Sequence, residues 1–119
     1  MLKLLAILFG LIMIVIGILG FLPDFTPNGN LFGIFSVNPM HNMVHLVTGL
    51  AALVCGLSNA FASKVFFILF GLVYGAVAIM GFMHGDGLLY GMAINQAGNW
   101  LHVAISLFSL YVGFFVKNK

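Results

Sequence analysis

The chain has 119 residues, of which 63% are hydrophobic and only 5% charged, with a formal net charge of +2 and a mean hydropathy of +1.22. A water-soluble domain of this size has too much surface to hide so much apolar side chain, so the solvent must be a bilayer. Four lysines and two acids give no basic stripe for nucleic acid, and the single cysteine, Cys55, excludes an intramolecular disulfide and a cysteine-based metal motif.

The first apolar run, about Leu4 to Leu22, follows Lys3. It exceeds the roughly 7–15 residues of a signal-peptide core, and no A-x-A-like site follows before Pro23, so a retained helix is expected. The second run spans about Pro39–Leu57 and the third about Val65–Met83. The stretch "HGDGLLYG", starting at His84, then reads as a glycine-rich turn. His84 and Asp86 there make either a solvated turn or a pH-sensitive pair. The fourth run covers about Ala97–Val116. Each run is long enough to cross a membrane.

Lys3, Lys64, Lys117 and Lys119 all fall on one side of this four-span layout, and there is no arginine. The positive-inside rule makes that side cytoplasmic, with both termini inside. The loops at about 23–38 and 84–96, which hold Asp24 and Asp86, then face out. Trp100, Tyr90 and many of the phenylalanines read as interfacial or lipid-facing residues.

The chain also repeats itself. "FGLIMIVIGILGF" (9–21) matches "FGLVYGAVAIMGF" (70–82), and "NPMHNMVHLVTGL" (38–50) matches "NQAGNWLHVAISL" (95–107). A single membrane domain over 1–119 is therefore expected, made of tandem helical hairpins at 1–60 and 61–119 with a pseudo-twofold axis along the membrane normal. Asn38, Asn42 and His45 have counterparts in Asn95, Asn99 and His102, whereas His41 is matched by Gly98.

At about 100° per residue, Asn38, His41, Asn42 and His45 share one face of the second helix, continued by Gly49, Ala52 and Gly56. In the fourth helix Asn95, Gly98, Asn99 and His102 share a face continued by Ser106, Ser109 and Gly113. Small residues let membrane helices approach closely, and asparagine or histidine can bond across the interface. The second and fourth helices are accordingly expected to touch along these stripes, with the polar ends meeting near the outer surface.

Three uses of the stripe are open. It can be a structural network in which Asn38, Asn42, Asn95 and Asn99 bond the helices together, with Asn42 and Asn99 fixing the tautomers of His45 and His102. It can be a metal site for copper or zinc, with His41 and His45 at i, i+4 and His102 across the interface. Met40, Met43, Met80, Met83 and Met92 lie toward the same end; thioethers suit copper(I), although methionine also serves as apolar filler. The third use is a haem or other tetrapyrrole between His45 and His102, against which there is no arginine or outward lysine to meet propionates.

No carboxylate lies in an apolar run, so a proton relay or cation-coupled carrier lacks its usual parts, and no serine–histidine–acid set can be assembled. The chain therefore reads as non-enzymatic.

The "HNMVHLVTG" segment, the later "NWLH" and the four-span layout together resemble a bacterial family of small integral membrane proteins catalogued as a domain of unknown function. The resemblance covers essentially the whole chain. It implies placement in the bacterial cytoplasmic membrane and a duplicated histidine motif, and it brings no activity with it. In the second copy, Gly98 stands where the family resemblance leads one to expect an acid. The sequence thus describes an all-α, four-helix membrane bundle in lipid. Its first functional reading is a structural or accessory subunit that assembles with itself or with membrane-protein partners. The alternative is a metal- or haem-binding membrane protein that uses the outward cluster.

Overall fold

The structure, a computed structural model, describes residues 1–117; Lys119, counted among the inward lysines, lies outside them. Four helices make up the chain: α1 (Leu2–Leu19), α2 (Pro39–Ser58), α3 (Ala60–His84) and α4 (Gln96–Phe115). All four are long and apolar enough to cross a membrane, so the expected all-α four-span architecture is the one observed. The bundle is 44 Å long, which matches a bilayer of about 40–45 Å with its headgroups. Leu8, Leu11, Val15, Leu69, Leu72, Ile79, Leu107 and Phe114 point outward, as lipid-facing positions do.

The helix ends are set by asparagines. Asn38 precedes Pro39 and accepts a hydrogen bond from the His41 amide at 3.0 Å. Asn95 accepts one from the Gly98 amide at 2.9 Å, so α2 and α4 start with equivalent caps. Asn59 alone joins α2 to α3, and its Oδ1 accepts from the Ala62 amide at 2.8 Å. That cap lets α3 begin at Ala60, ahead of the Val65 start expected from hydropathy.

The connections at the opposite end are more ordered than the sequence indicates. Between α1 and α2 lie two short 3-10 turns and a small antiparallel hairpin, β1 (Asn30–Leu31) with β2 (Phe35–Ser36). Between α3 and α4 lies a second hairpin, β3 (Gly87–Leu89) with β4 (Met92–Ile94). Its two-residue turn places Tyr90 at φ 51° and Gly91 at φ 83°, as a type I′ turn requires. The Asn28–Gly29 and Asp86–Gly87 pairs, of the kind that announces such a turn, stand at the strand starts and not at the turns, so the sequence does not place either hairpin.

α1 packs against α2 and α3 against α4, while the two helical hairpins meet chiefly through α2 and α3. The intimate contacts are inside each hairpin and recur between them. A Cβ on Gly49 would stand 2.7 Å from the Gly10 carbonyl oxygen and 2.9 Å from the Ile14 amide. In the second hairpin Ser106 replaces Gly49 opposite Gly71, and its hydroxyl donates to the Gly71 carbonyl at 2.7 Å. Gly56 packs on Ile7 as Gly113 packs on Ile68, and Gly20 faces Asn42 as Gly81 faces Asn99.

This corrects the expectation that the small-residue stripes of α2 and α4 face one another. Gly49, Ala52 and Gly56 press on α1, and Ser106 and Gly113 on α3. The reason is the matching glycines, Gly10 and Gly71, which α1 and α3 supply for close approach. At the lysine end the Lys64 ammonium donates to the Gly113 carbonyl. The interior between the hairpins there is filled by rings, with Phe9 5.8 Å from Phe66 and 5.7 Å from Phe67.

Because the Gly49 contact is with backbone, Gly49→Ala cannot be relieved by a rotamer change. It should destabilise the bundle by about 1–3 kcal/mol, read as an earlier midpoint in reversible unfolding titrations in mixed micelles. An unshifted midpoint would mean that α1 and α2 do not approach this closely.

Candidate metal centre

The first turns of α2 and α4 are set against the other hairpin's strands, α2 on β4 and α4 on β2, and each asparagine cap also reaches across. Asn38 Nδ2 donates to the carbonyl of Gly91, in the β3–β4 turn, at 3.0 Å. Reciprocally, Asn95 Nδ2 donates to the carbonyl of Ile34, in the β1–β2 turn, at 2.8 Å. Each cap thus holds the partner hairpin's turn, and the outer ends of α2 and α4 are tied together.

One turn beyond the caps, the cluster begins. His41 and His45, one turn apart on α2, have ring centroids 4.6 Å apart. His102 enters from α4, 5.4 Å from His41 and 6.2 Å from His45. All three are buried, and one ring nitrogen from each can be chosen so that all lie within 4.8 Å of one another. His45 and His102 each follow their cap by seven residues, about 10 Å along the helix.

The hydrogen bonding of the rings is lopsided. His41 Nδ1 lies 2.7 Å from the Ala93 carbonyl on β4. A carbonyl only accepts, so Nδ1 carries the proton and the Nε2 lone pair is free for a ligand. This carbonyl–histidine arrangement is the one that orients metal-ligating imidazoles. His41 Nε2, both ring nitrogens of His45, and His102 Nδ1 are buried and have no hydrogen-bond partner among the described residues. The expected tautomer-fixing bonds from Asn42 and Asn99 are not formed: their Oδ1 atoms lack hydrogen-bond donors and lie against Gly20 and Gly81. Buried Ser109 likewise keeps its hydroxyl unpartnered.

Beside the cluster a cavity of about 30 Å³ is lined by His41, His102, Val44, Val73, Tyr74, Val77 and Met92. Tyr74 stands edge-on to His102 at 5.4 Å. Its hydroxyl donates to Thr48 Oγ1 at 3.0 Å, and Thr48 donates in turn to the Val44 carbonyl at 2.7 Å. Met92 is the one methionine of the expected outer group that lines this space; Met40, Met43 and Met83 are exposed on the bundle surface. His84 ends α3 away from the cluster, with its Nδ1 3.1 Å from the Gly85 carbonyl.

The sequence reading singled out His41, His45 and His102, and the structure brings all three together. It missed Ala93, whose contribution is a backbone carbonyl that side-chain patterns cannot reveal. It also missed Tyr74, which a search for polar groups in the third span would have found.

Four lipid-facing helices around an unpaired imidazole cluster define the class: an integral membrane protein with a candidate metal centre. The chain belongs to the family described as Domain of unknown function (DUF4383), whose model matches residues 3–115, as its resemblance to such a family implies. No curated protein and no solved structure matches it.

Replacing either cap removes a helix cap and an inter-hairpin bond together. Asn38→Ala and Asn95→Ala should each cost about 1–2 kcal/mol of stability, measurable by the same micellar titration. A loss in only one of the two would break the reciprocity described above.

Proposed function

We propose that this integral membrane protein holds one transition-metal ion at His41, His45 and His102. The observation that carries the reading is the set of four buried imidazole nitrogens without hydrogen-bond partners among the described residues. Leaving a buried polar group unpaired costs about 1–3 kcal/mol, and lipid offers no substitute partner. A metal ion takes up one lone pair from each ring at once, accounting for at most three of the four nitrogens and leaving one N–H of His45. Metal–nitrogen bonds of about 2.0–2.1 Å place ligand atoms about 3.5 Å apart, which rotation of the rings from their present separation of up to 4.8 Å can reach.

A purely structural clasp, or a contact surface for an accessory subunit, gives those nitrogens nothing to do, since the asparagines do not bond them. A tetrapyrrole between His45 and His102 requires far more room than rings 6.2 Å apart and a cavity of about 30 Å³ supply. Copper and zinc both accept imidazole. Asp24 and Asp86 are exposed and neither joins the three histidines, so no carboxylate stands with the rings as a general base, which favours binding over catalysis.

We infer further that the lysine end faces the cytoplasm of a bacterial cell, by the positive-inside rule. The cluster then lies in the outer half of the bilayer, beneath the two β-hairpins.

Purified protein should take up about one equivalent of copper or zinc per chain by elemental analysis. His45→Ala and His102→Ala should reduce this at least tenfold, and His84→Ala should leave it unchanged. Folded protein that takes up no metal would sink the proposal. For orientation, Leu88→Cys in a Cys55→Ser background should react with an impermeant maleimide in intact cells, and Lys64→Cys only after permeabilisation. The reverse pattern would invert the topology.

A further inference from the structure

Resting on the metal reading above, we infer that the site holds its ion as copper(I) and keeps one coordination position open to a small uncharged diatomic ligand. Two independent features point there: the charge of the donor set and the character of the adjoining space.

The donor set is three neutral imidazoles. Among the described residues no acid joins them to offset a metal's charge; Asp24 and Asp86 are both exposed. The cost of placing an ion in a low-dielectric interior rises with the square of its charge, so a divalent ion meets about four times the penalty of a monovalent one. Zinc bound by thiolates or carboxylates recovers that cost through ligand charge; on three neutral imidazoles it recovers it only through a bound hydroxide, which needs donors around it. Copper(I) carries a single charge, accepts imidazole, and is stable with three ligands.

Three protein ligands leave a position free, as in metal sites that admit an exogenous ligand. His41 and His102 form part of the wall of the adjoining cavity, and Val44, Val73, Val77 and Met92 form most of the rest. At about 30 Å³, it is at least twice the roughly 10–15 Å³ that a single water needs. Two of the polar groups on its rim are committed, the Tyr74 hydroxyl to Thr48 and His41 Nδ1 to Ala93. With His41 Nε2 on the metal, His102 is left as the one lining residue with a ring nitrogen to spare. A bound hydroxide or other anion would find at most that one donor, whereas an apolar diatomic molecule needs none. Val73 and Val77 come from α3 and the ligand histidines from α2 and α4, so wall and ligands can be altered separately.

The test is infrared spectroscopy of the full-length protein in detergent, loaded anaerobically with copper(I) and exposed to carbon monoxide. One saturable C–O stretching band, at one carbon monoxide per bound copper, is expected. Val77→Phe, which fills the cavity, should retain copper within about twofold and lose the band at least tenfold; Val77→Leu, a milder filling, should shift or weaken it. His102→Ala should lose both copper and band. Copper retained without a band in the unaltered protein would overturn the inference, as would a band indifferent to both Val77 substitutions. A site that takes zinc(II) and refuses copper(I) also overturns it while sparing the metal reading. Failure of every metal to bind removes that reading and this one together.

Discussion

The hydrocarbon core of a bilayer supplies no hydrogen-bond partners, and most of this architecture follows from that constraint. The helices satisfy their own backbones, so what remains to be settled is where polar side chains go and how helices with no hydrophobic drive between them hold together. The chain answers the second question with close backbone approach: glycine meets glycine between α1 and α2, and serine meets glycine between α3 and α4. It answers the first by collecting polar side chains at one end, where caps, turns and short strands supply carbonyls and amides.

Against that economy the histidine cluster is an exception. Three imidazoles are gathered at one spot although four of their six ring nitrogens are buried without a partner among the described residues. The surroundings are well packed: the asparagines one turn away sit on glycines, and Tyr74 and Thr48 satisfy each other. Of the seven buried side-chain atoms without a partner among the described residues, four are imidazole nitrogens gathered at this one spot, the others being Asn42 Oδ1, Asn99 Oδ1 and the Ser109 hydroxyl, and such a concentration calls for an explanation beyond packing. The pseudo-twofold relation is broken at the same place, because His41 has Gly98 as its counterpart; the two halves therefore contribute unequally, two rings from one and one from the other.

Fold and site differed in how far they could be read from the sequence. The spans were legible because lipid imposes a simple requirement of length and apolarity, and the duplication was legible because Asn, His and Gly recur at fixed spacing. The three histidines were legible as one face of a helix plus a repeat-related partner. What failed was the assignment of neighbours. A helical wheel shows that Gly49 and Gly56 share a stripe with His45 but not which helix that stripe meets, and complementary glycines on α1 and α3 decided it. The β-hairpins were hidden because Phe32–Gly33 and Tyr90–Gly91 are weak turn signals whose geometry is settled by tertiary contacts. The Ala93 carbonyl was beyond reach for the same reason: a backbone group has no signature in the residue that bears it.

The crossed bonds from Asn38 to Gly91 and from Asn95 to Ile34 also bear on how the protein is made. Synthesis proceeds from the N-terminus, so α1 and α2 emerge ahead of the turn that receives Asn38. During that interval the first hairpin has its close α1–α2 packing but an unclosed outer end, with His41 and His45 lacking both the Ala93 carbonyl and His102. The site therefore comes into existence only at the last stage of biogenesis, when the second hairpin docks. Any ion destined for it must arrive with that docking or afterwards, from whichever side of the membrane the two turns face.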